Sequence, residues 1–211
     1  MKPAYDAVVF DLLTALLDSW SLWDKVAGSE AHGRKWRAAY LRRTYREGAY
    51  RPYETIVAEA ALEVGLSAGL AAELAARYGE IEPWPEVPSV LAALKQQVAL
   101  GVVTNCSESL AATALARTGV AFDVMVSAER AGFYKPDPRP YQLALAELGL
   151  PVERCLFVAG SPYDLFGTAK VGLPAYWHDR IGMAATPEAP KLVAHHDSLG
   201  PLVDAVLGRL T

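Results

Sequence analysis

Short apolar runs alternate with helical stretches along most of the chain, and this alternation constrains the fold more than any other feature. Segments 7–10, 98–104, 124–126, 155–158 and 174–177 are each too short for a helix, mostly rich in β-branched or aromatic residues, and apolar on both faces. Strands buried on both faces belong to a parallel sheet covered by helices. Helical patterns at 87–97, 107–118, 140–148 and 163–171 separate them, and one at 199–210 closes the chain. The order predicts a doubly wound α/β fold. One interval breaks the rhythm. From about residue 16 to 82 there is no strand pattern, only helical patterns at 22–27, 34–47, 53–64 and 68–78, and then a proline-stiffened return at 81–88. An insert this long is not a βα loop. It predicts a helical second domain, 16–83, seated over the C-terminal edge of a core formed by 1–15 and 84–211, the edge at which α/β proteins bind ligands.

The 211 residues are 52% hydrophobic and carry a net charge of −4, so there is material for one core and a small appendage. The densest basic stretch, 34–46, is interleaved with Trp36, Tyr40, Leu41 and Tyr45. It reads as one face of an amphipathic helix rather than a track for a phosphate backbone, so nucleic acid is not an expected partner. Cys106 and Cys155 have no CxxC spacing and predict no disulfide framework. With no signal-peptide pattern at the start and no apolar run approaching the ~18 residues needed to cross a bilayer, a soluble cytoplasmic protein without membrane contact is expected.

The predicted strand ends gather polar groups. Asp11 follows the first strand, Thr104 and Asn105 end the second, Lys135 sits in the third loop, and Ser161 and Asp164 follow the fourth. Together they suit covalent catalysis by a carboxylate. Asp11 attacks, Lys135 keeps it ionised, Asp164 pairs with Lys135 and helps orient water, and Thr104 and Asn105 donate to developing charge. Singly, each has a plainer reading. Asp11 could form a turn, Lys135 could be solvated, Asn105 could cap a helix as Ser107 is expected to, and Asp164 would suit any helix start.

Val8-Val9-Phe10-Asp11, Val103-Thr104-Asn105, Tyr134-Lys135-Pro136-Asp137-Pro138 and the stretch from Phe157 to Asp164 resemble, in that order, the four motifs of the haloacid dehalogenase superfamily. The resemblance spans the whole chain. It implies a Rossmann-like core with an inserted α-helical cap, Asp11 as nucleophile, and a site between core and cap. Most of that superfamily are magnesium-dependent phosphatases, with one aspartate two residues after the nucleophile and another just before the motif-four serine. Here those positions hold Leu13 and Gly160. A divalent cation needs several oxygen ligands, and Leu13 cannot protonate an alcohol. The expectation is therefore no metal and no cofactor.

The branch without those acids resembles the L-2-haloacid dehalogenases, whose aspartate displaces halide from an α-carbon before water cleaves the ester. Halide leaves unprotonated. Lys35-Trp36-Arg37 and Leu41 are similar to that branch's cap helix, which implies that Arg37 holds the carboxylate or halide of a small anionic substrate. Tyr53, in Tyr50-Arg51-Pro52-Tyr53, matches an aromatic wall of the pocket. Tyr141 and Tyr163 match further aromatic positions near the site. The resemblance also implies a possible homodimer.

Several positions depart from the pattern. Motif one reads Asp11-Leu12-Leu13-Thr14-Ala15-Leu16, so Ala15 replaces a hydroxyl that Thr14 carries one position early, and Leu13 replaces a tyrosine lining the pocket. Ala38 stands where a polar residue is common. Ala159-Gly160-Ser161 removes one hydroxyl and exchanges an amide for a hydroxyl among the groups that hold the hydrolytic water. The first reading is a 2-haloacid dehalogenase. The alternatives are a magnesium-dependent phosphatase, or a silent protein on this fold that binds small carboxylates.

Overall fold

The computed structural model describes residues 3–184 and 192–209. Six parallel strands, β1 (Ala7–Phe10), β2 (Ala99–Thr104), β3 (Val124–Ser127), β4 (Cys155–Ala159), β5 (Ala175–His178) and β6 (Ala194–His196), form one sheet in the order β3-β2-β1-β4-β5-β6. The first five begin and end within one residue of the predicted runs. β6 is an addition. It is a three-residue edge strand, only partly buried, with no apolar pattern to announce it.

The core follows from the strand period of two. Val8, Phe10, Leu100, Val102 and Val158 face one apolar layer. Ala7, Val9, Val103, Phe157 and Ala159 face the other. Both faces are covered by helices, which is why the strands read as continuous apolar runs.

The inserted helices are α1 (Ser19–Val26), α2 (Glu30–Glu47), α3 (Tyr53–Glu63) and α4 (Leu70–Ala76), the last followed by a short 3-10 turn at Tyr78–Glu80. Asp18 starts α1 by accepting from the Ser21 amide at 3.1 Å. Ser29 starts α2 by accepting from His32 N, earlier than the apolar pattern alone predicts. The chain's entry to and exit from this insert pair with each other. Asp18 N donates to Glu82 O at 2.8 Å and Trp84 N to Leu16 O at 3.1 Å. The insert's apolar residues, among them Trp23, Trp36, Tyr40, Tyr53 and Tyr78, join the layer on one face of the sheet rather than forming a separate cluster.

The remaining helices are α5 (Val87–Lys95), α6 (Glu108–Ala116), α7 (Ala128–Ala131), α8 (Pro138–Leu148), α9 (Pro162–Val171) and α10 (Leu202–Val206). α7 is a single turn that the sequence pattern does not reveal. α10 is shorter than the predicted 199–210, whose last residue, Leu210, lies outside the described residues. Ser107 does occupy the N-cap position of α6, but its hydroxyl makes no capping bond. It donates to Glu54 Oε1 on α3 at 3.0 Å, and Glu129 Oε2 receives the Glu108 amide instead. Both cysteines are buried and free. Among the described residues no helix is long and apolar enough to cross a membrane.

In this strand order the chain leaves β1 toward one edge of the sheet and returns to the other side at β4. The crevice at such a switch point, at the C-terminal strand ends, is the natural ligand site. Asp11 follows β1 there, Ser161 and Asp164 follow β4, and α2 lies across the opening.

Candidate active site

Asp11 extends β1 by one more ladder bond, its amide donating to Val158 O at 2.9 Å. The chain then turns back over its carboxylate. The amides of Thr14 and Ala15 donate to Oδ2 at 2.9 and 3.1 Å. Gly160 makes the turn possible: a Cβ there would sit 2.7 Å from Thr14 Cβ and 2.8 Å from Asp11 Oδ2. The turn is also held from outside, by Trp84 Nε1 donating to Thr14 O at 2.9 Å and His178 Nδ1 to Ala15 O at 2.8 Å. Burial keeps the His178 ring below the usual histidine pKa, so it stays neutral. Oδ2 is thus held by two backbone amides, while Oδ1 takes the contact from Lys135.

Lys135 is 1% exposed, and its Nζ lies 2.9 Å from Asp11 Oδ1 and 2.8 Å from Asp164 Oδ1. Asn105 fixes its position through the backbone. Asn105 Oδ1 accepts from Lys135 N at 2.7 Å and its Nδ2 donates to Lys135 O at 3.0 Å. One Nδ2 hydrogen of Asn105 remains for a ligand. Asp164 is held by Gly160 N, which donates to Oδ2 at 3.2 Å, and by Ser161 Oγ at 3.4 Å. Burial alone would raise the pKa of Asp11, but the Lys135 charge and the hydrogen bonds from Lys135, Thr14 and Ala15 outweigh it and hold the carboxyl below the ordinary range. For Asp164 the balance reverses. Burial and the nearby Asp11 charge raise it despite Lys135. Burial opposes the charge on Lys135, and the two carboxylates overcome that and raise it. Two neighbouring carboxylates with pKa values pushed apart suit different tasks.

Across the cavity, α2 presents Arg37, Leu41 and Tyr45 on one stripe at four-residue spacing. Arg37 is 2% exposed. One Nη2 hydrogen bond reaches Thr14 Oγ1 at 3.1 Å, and the guanidinium lies 4.6 Å from the Trp20 ring centre and 5.4 Å from that of Trp23. Its Nε and Nη1 have no hydrogen-bond partner, and no carboxylate comes within ion-pair reach of it among the described residues.

These groups enclose a small cavity. Asp11, Leu13, Thr14, Asn105, Lys135 and Ser161 line it from the core, and Arg37, Tyr40, Leu41 and Tyr45 from α2. It offers about 20 Å³ for the centres of water-sized molecules, room for one or two waters. Five predicted site residues lie outside the lining. Asp164 sits behind Lys135. Thr104 is buried at the end of β2 with its hydroxyl 3.7 Å from Cys106 Sγ. Tyr53 packs behind Tyr40 and hydrogen-bonds Tyr78 at 2.9 Å. Tyr141 lies in the opposite apolar layer against Phe157 and reaches Asp164 O at 3.4 Å, supporting α9 from behind. Tyr163 stacks on the outside of Tyr45 at 4.2 Å. Sequence reasoning missed Tyr40, Tyr45, Trp84 and His178 as site residues. Tyr45 was within reach of it, two helical turns after Arg37.

A divalent cation does not fit this donor set. Both carboxylates already face the Lys135 ammonium, Leu13 offers no oxygen, and Gly160 has no space for a side chain.

Residues 5–172 match the haloacid dehalogenase-like hydrolases. The chain belongs to that family. Relatives within it include the (S)-2-haloacid dehalogenase H-109 of Pseudomonas putida, 29% identical over 89% of this chain and 93% of that one. The haloacetate dehalogenase H-2 of Moraxella sp. (strain B) is 27% identical over 96% of both. The fold is that of the L-2-haloacid dehalogenase of Xanthobacter autotrophicus, solved with chloropropionic acid covalently bound, at a TM-score of 0.87 and 22% identity over 98% of this chain and all of that one. A six-stranded parallel sheet with helices on both faces is thus the family core in this hydrolase.

Proposed function

We propose that this hydrolase cleaves the carbon–halogen bond of small (S)-2-haloacids through an ester on Asp11, without a metal ion. The observation that carries the reading is Arg37. A buried guanidinium with no carboxylate costs several kcal/mol, and a bound anion offsets that cost. Its two unpartnered nitrogens suit the substrate carboxylate or the departing halide, and the spare Asn105 hydrogen suits the same anion.

The chemistry follows from the two ends of the cavity. Asp11 Oδ1, kept ionised by Lys135, attacks the α-carbon as the carbon–halogen bond breaks and halide leaves with the electron pair. No acid is needed, so Leu13 suffices where an alcohol leaving group would need a proton donor. Water then adds to Asp11 Cγ, and the Thr14 and Ala15 amides hold the charge that develops on Oδ2. The cavity has room for only one or two waters, so we assign residues 16–83 the role of a cap that moves to admit substrate, with Leu13, Tyr40 and Leu41 favouring short acids.

Halide release from the enantiomers of 2-chloropropionate and from haloacetates tests this. The expected result is release from the (S) enantiomer and from haloacetate, unchanged by EDTA. Hydrolysis of p-nitrophenyl phosphate that EDTA abolishes and magnesium restores, with no halide from any haloacid, would overturn it.

A further inference from the structure

Ser161 stands at the N-cap of α9, where a serine hydroxyl ordinarily accepts from the first turn of the helix. Here it makes no such bond. Its Oγ instead donates to Asp164 Oδ2 at 3.4 Å, and lies 3.2 Å from the hydroxyl of Tyr45 on α2. With the Ser161 proton directed to the carboxylate, the Tyr45 hydroxyl donates to Ser161. The order is then Tyr45 to Ser161 to Asp164. Stacking on Tyr163 at 4.2 Å and 20° fixes the Tyr45 ring. Both hydroxyls line the cavity that Asp11 and Lys135 close from the other side. Each hydroxyl oxygen has two acceptor positions, so this corner keeps acceptors for a donor that arrives with the cavity contents.

We propose that Tyr45 is a positioning residue for the second half-reaction, holding Ser161 so that a water bound at Ser161 Oγ faces Asp11 Cγ and passes a proton along Ser161 to Asp164. The assignment rests on the ester mechanism above. The water oxygen bonds to Cγ, and one water proton moves to Ser161 as the Ser161 proton moves to Asp164. The Cγ–O bond to the alkyl group breaks with its electron pair going to the departing oxygen. Asp164 returns its proton through Ser161 to that oxygen, giving the 2-hydroxy acid, and the second water proton leaves to solvent as Asp11 ionises again beside Lys135. Burial and the Asp11 charge raise the Asp164 pKa, which makes it the better base of the two carboxylates. Burial keeps the Tyr45 phenol protonated, so it remains a donor. The first half-reaction uses none of these groups, and the relay therefore acts on one step only.

The test follows wild type, Tyr45→Phe and Ser161→Ala through a single turnover of (S)-2-chloropropionate, measuring halide release and the mass of the intact protein. Tyr45→Phe keeps the ring and its stacking. The expected result is first-turnover halide release within about twofold of wild type and ester decay slowed tenfold or more, so that the alkylated protein accumulates. In the steady state kcat and KM fall together, which loss of a structural contact would not produce. Ser161→Ala gives the same split, and the double variant is no slower than the more affected single one. Ester decay in Tyr45→Phe at the wild-type rate overturns the assignment while leaving the nucleophile in place. If wild type releases no halide and forms no ester, the dehalogenase reading fails and this assignment falls with it.

Discussion

The cavity has two buried charged ends, and they are built on opposite principles. On the core side, Asp11, Lys135 and Asp164 compensate one another, with an ammonium 2.9 and 2.8 Å from two carboxylates and backbone amides on the remaining oxygens. On the α2 side, Arg37 has one hydrogen bond to a hydroxyl and two aromatic faces, and no anion. The first end is complete as folded. The second is left without a counter-charge. A buried charge that is paired contributes to a unique fold, whereas one left unpaired spends stability on binding.

Breaking the compensated end gives the largest effect. Lys135→Met leaves two carboxylates facing each other in the interior, and costs on the order of 3–5 kcal/mol of stability together with essentially all turnover. Its pH dependence carries a sign. In wild type the Asp11 pKa is depressed, so its contribution to stability is present above the ordinary carboxylate range and lost as pH falls through the depressed value. Asp164, raised, works in the opposite direction and flattens the curve. In Lys135→Met both carboxyls rise, and the folded state takes up protons more readily than the unfolded one. The variant therefore gains stability as pH falls toward the carboxylate range, where wild type gains less or loses. Thermal melts at several pH values check this.

At the uncompensated end the two properties separate. Arg37→Met lowers kcat/KM for a haloacid on the order of 10²- to 10³-fold, the worth of about two charged hydrogen bonds. Its melting temperature stays level or rises, because the costly buried charge has gone along with cation–π contacts worth only ~1–2 kcal/mol. A saturating small carboxylate raises the melting temperature of wild type and not of Arg37→Met. Loss of stability comparable to Lys135→Met would break the contrast. A smaller effect comes from the support of the Asp11 turn. Trp84→Phe removes the bond to Thr14 O and lowers kcat a few-fold, about 1 kcal/mol.

Much of the core was legible because its signals are local. Apolar runs of three to seven residues mark β1 to β5, and the ends of these runs and the loop after the third mark Asp11, Asn105 and Lys135. Side-chain direction past a strand end is harder to read. Thr104 and Asn105 are adjacent, yet one turns into the packed interior and the other toward the crevice. The aromatic residues were the least legible. Tyr53 and Tyr141 suit a pocket wall by chemistry, but they pack behind Tyr40 and against Phe157. Tyr45, which does line the cavity, looks in sequence like any apolar member of a basic helix. Its place in the site depends on Ser161, 116 residues later in the chain. Trp84 and His178 bond to the backbone of residues 14 and 15, and no spacing rule announces a contact of that kind. β6 is too short and too polar to carry a pattern.

The most direct test of the account is turnover of (S)-2-chloropropionate in oxygen-18 water, followed by digestion and mass analysis of the peptide containing Asp11. With enzyme in excess over substrate, the account predicts heavy oxygen in the Asp11 carboxylate and unlabelled oxygen in the 2-hydroxy acid of the first turnover. Heavy oxygen in that first product, with Asp11 unlabelled, would contradict it, because water and not the carboxylate would then have attacked the carbon.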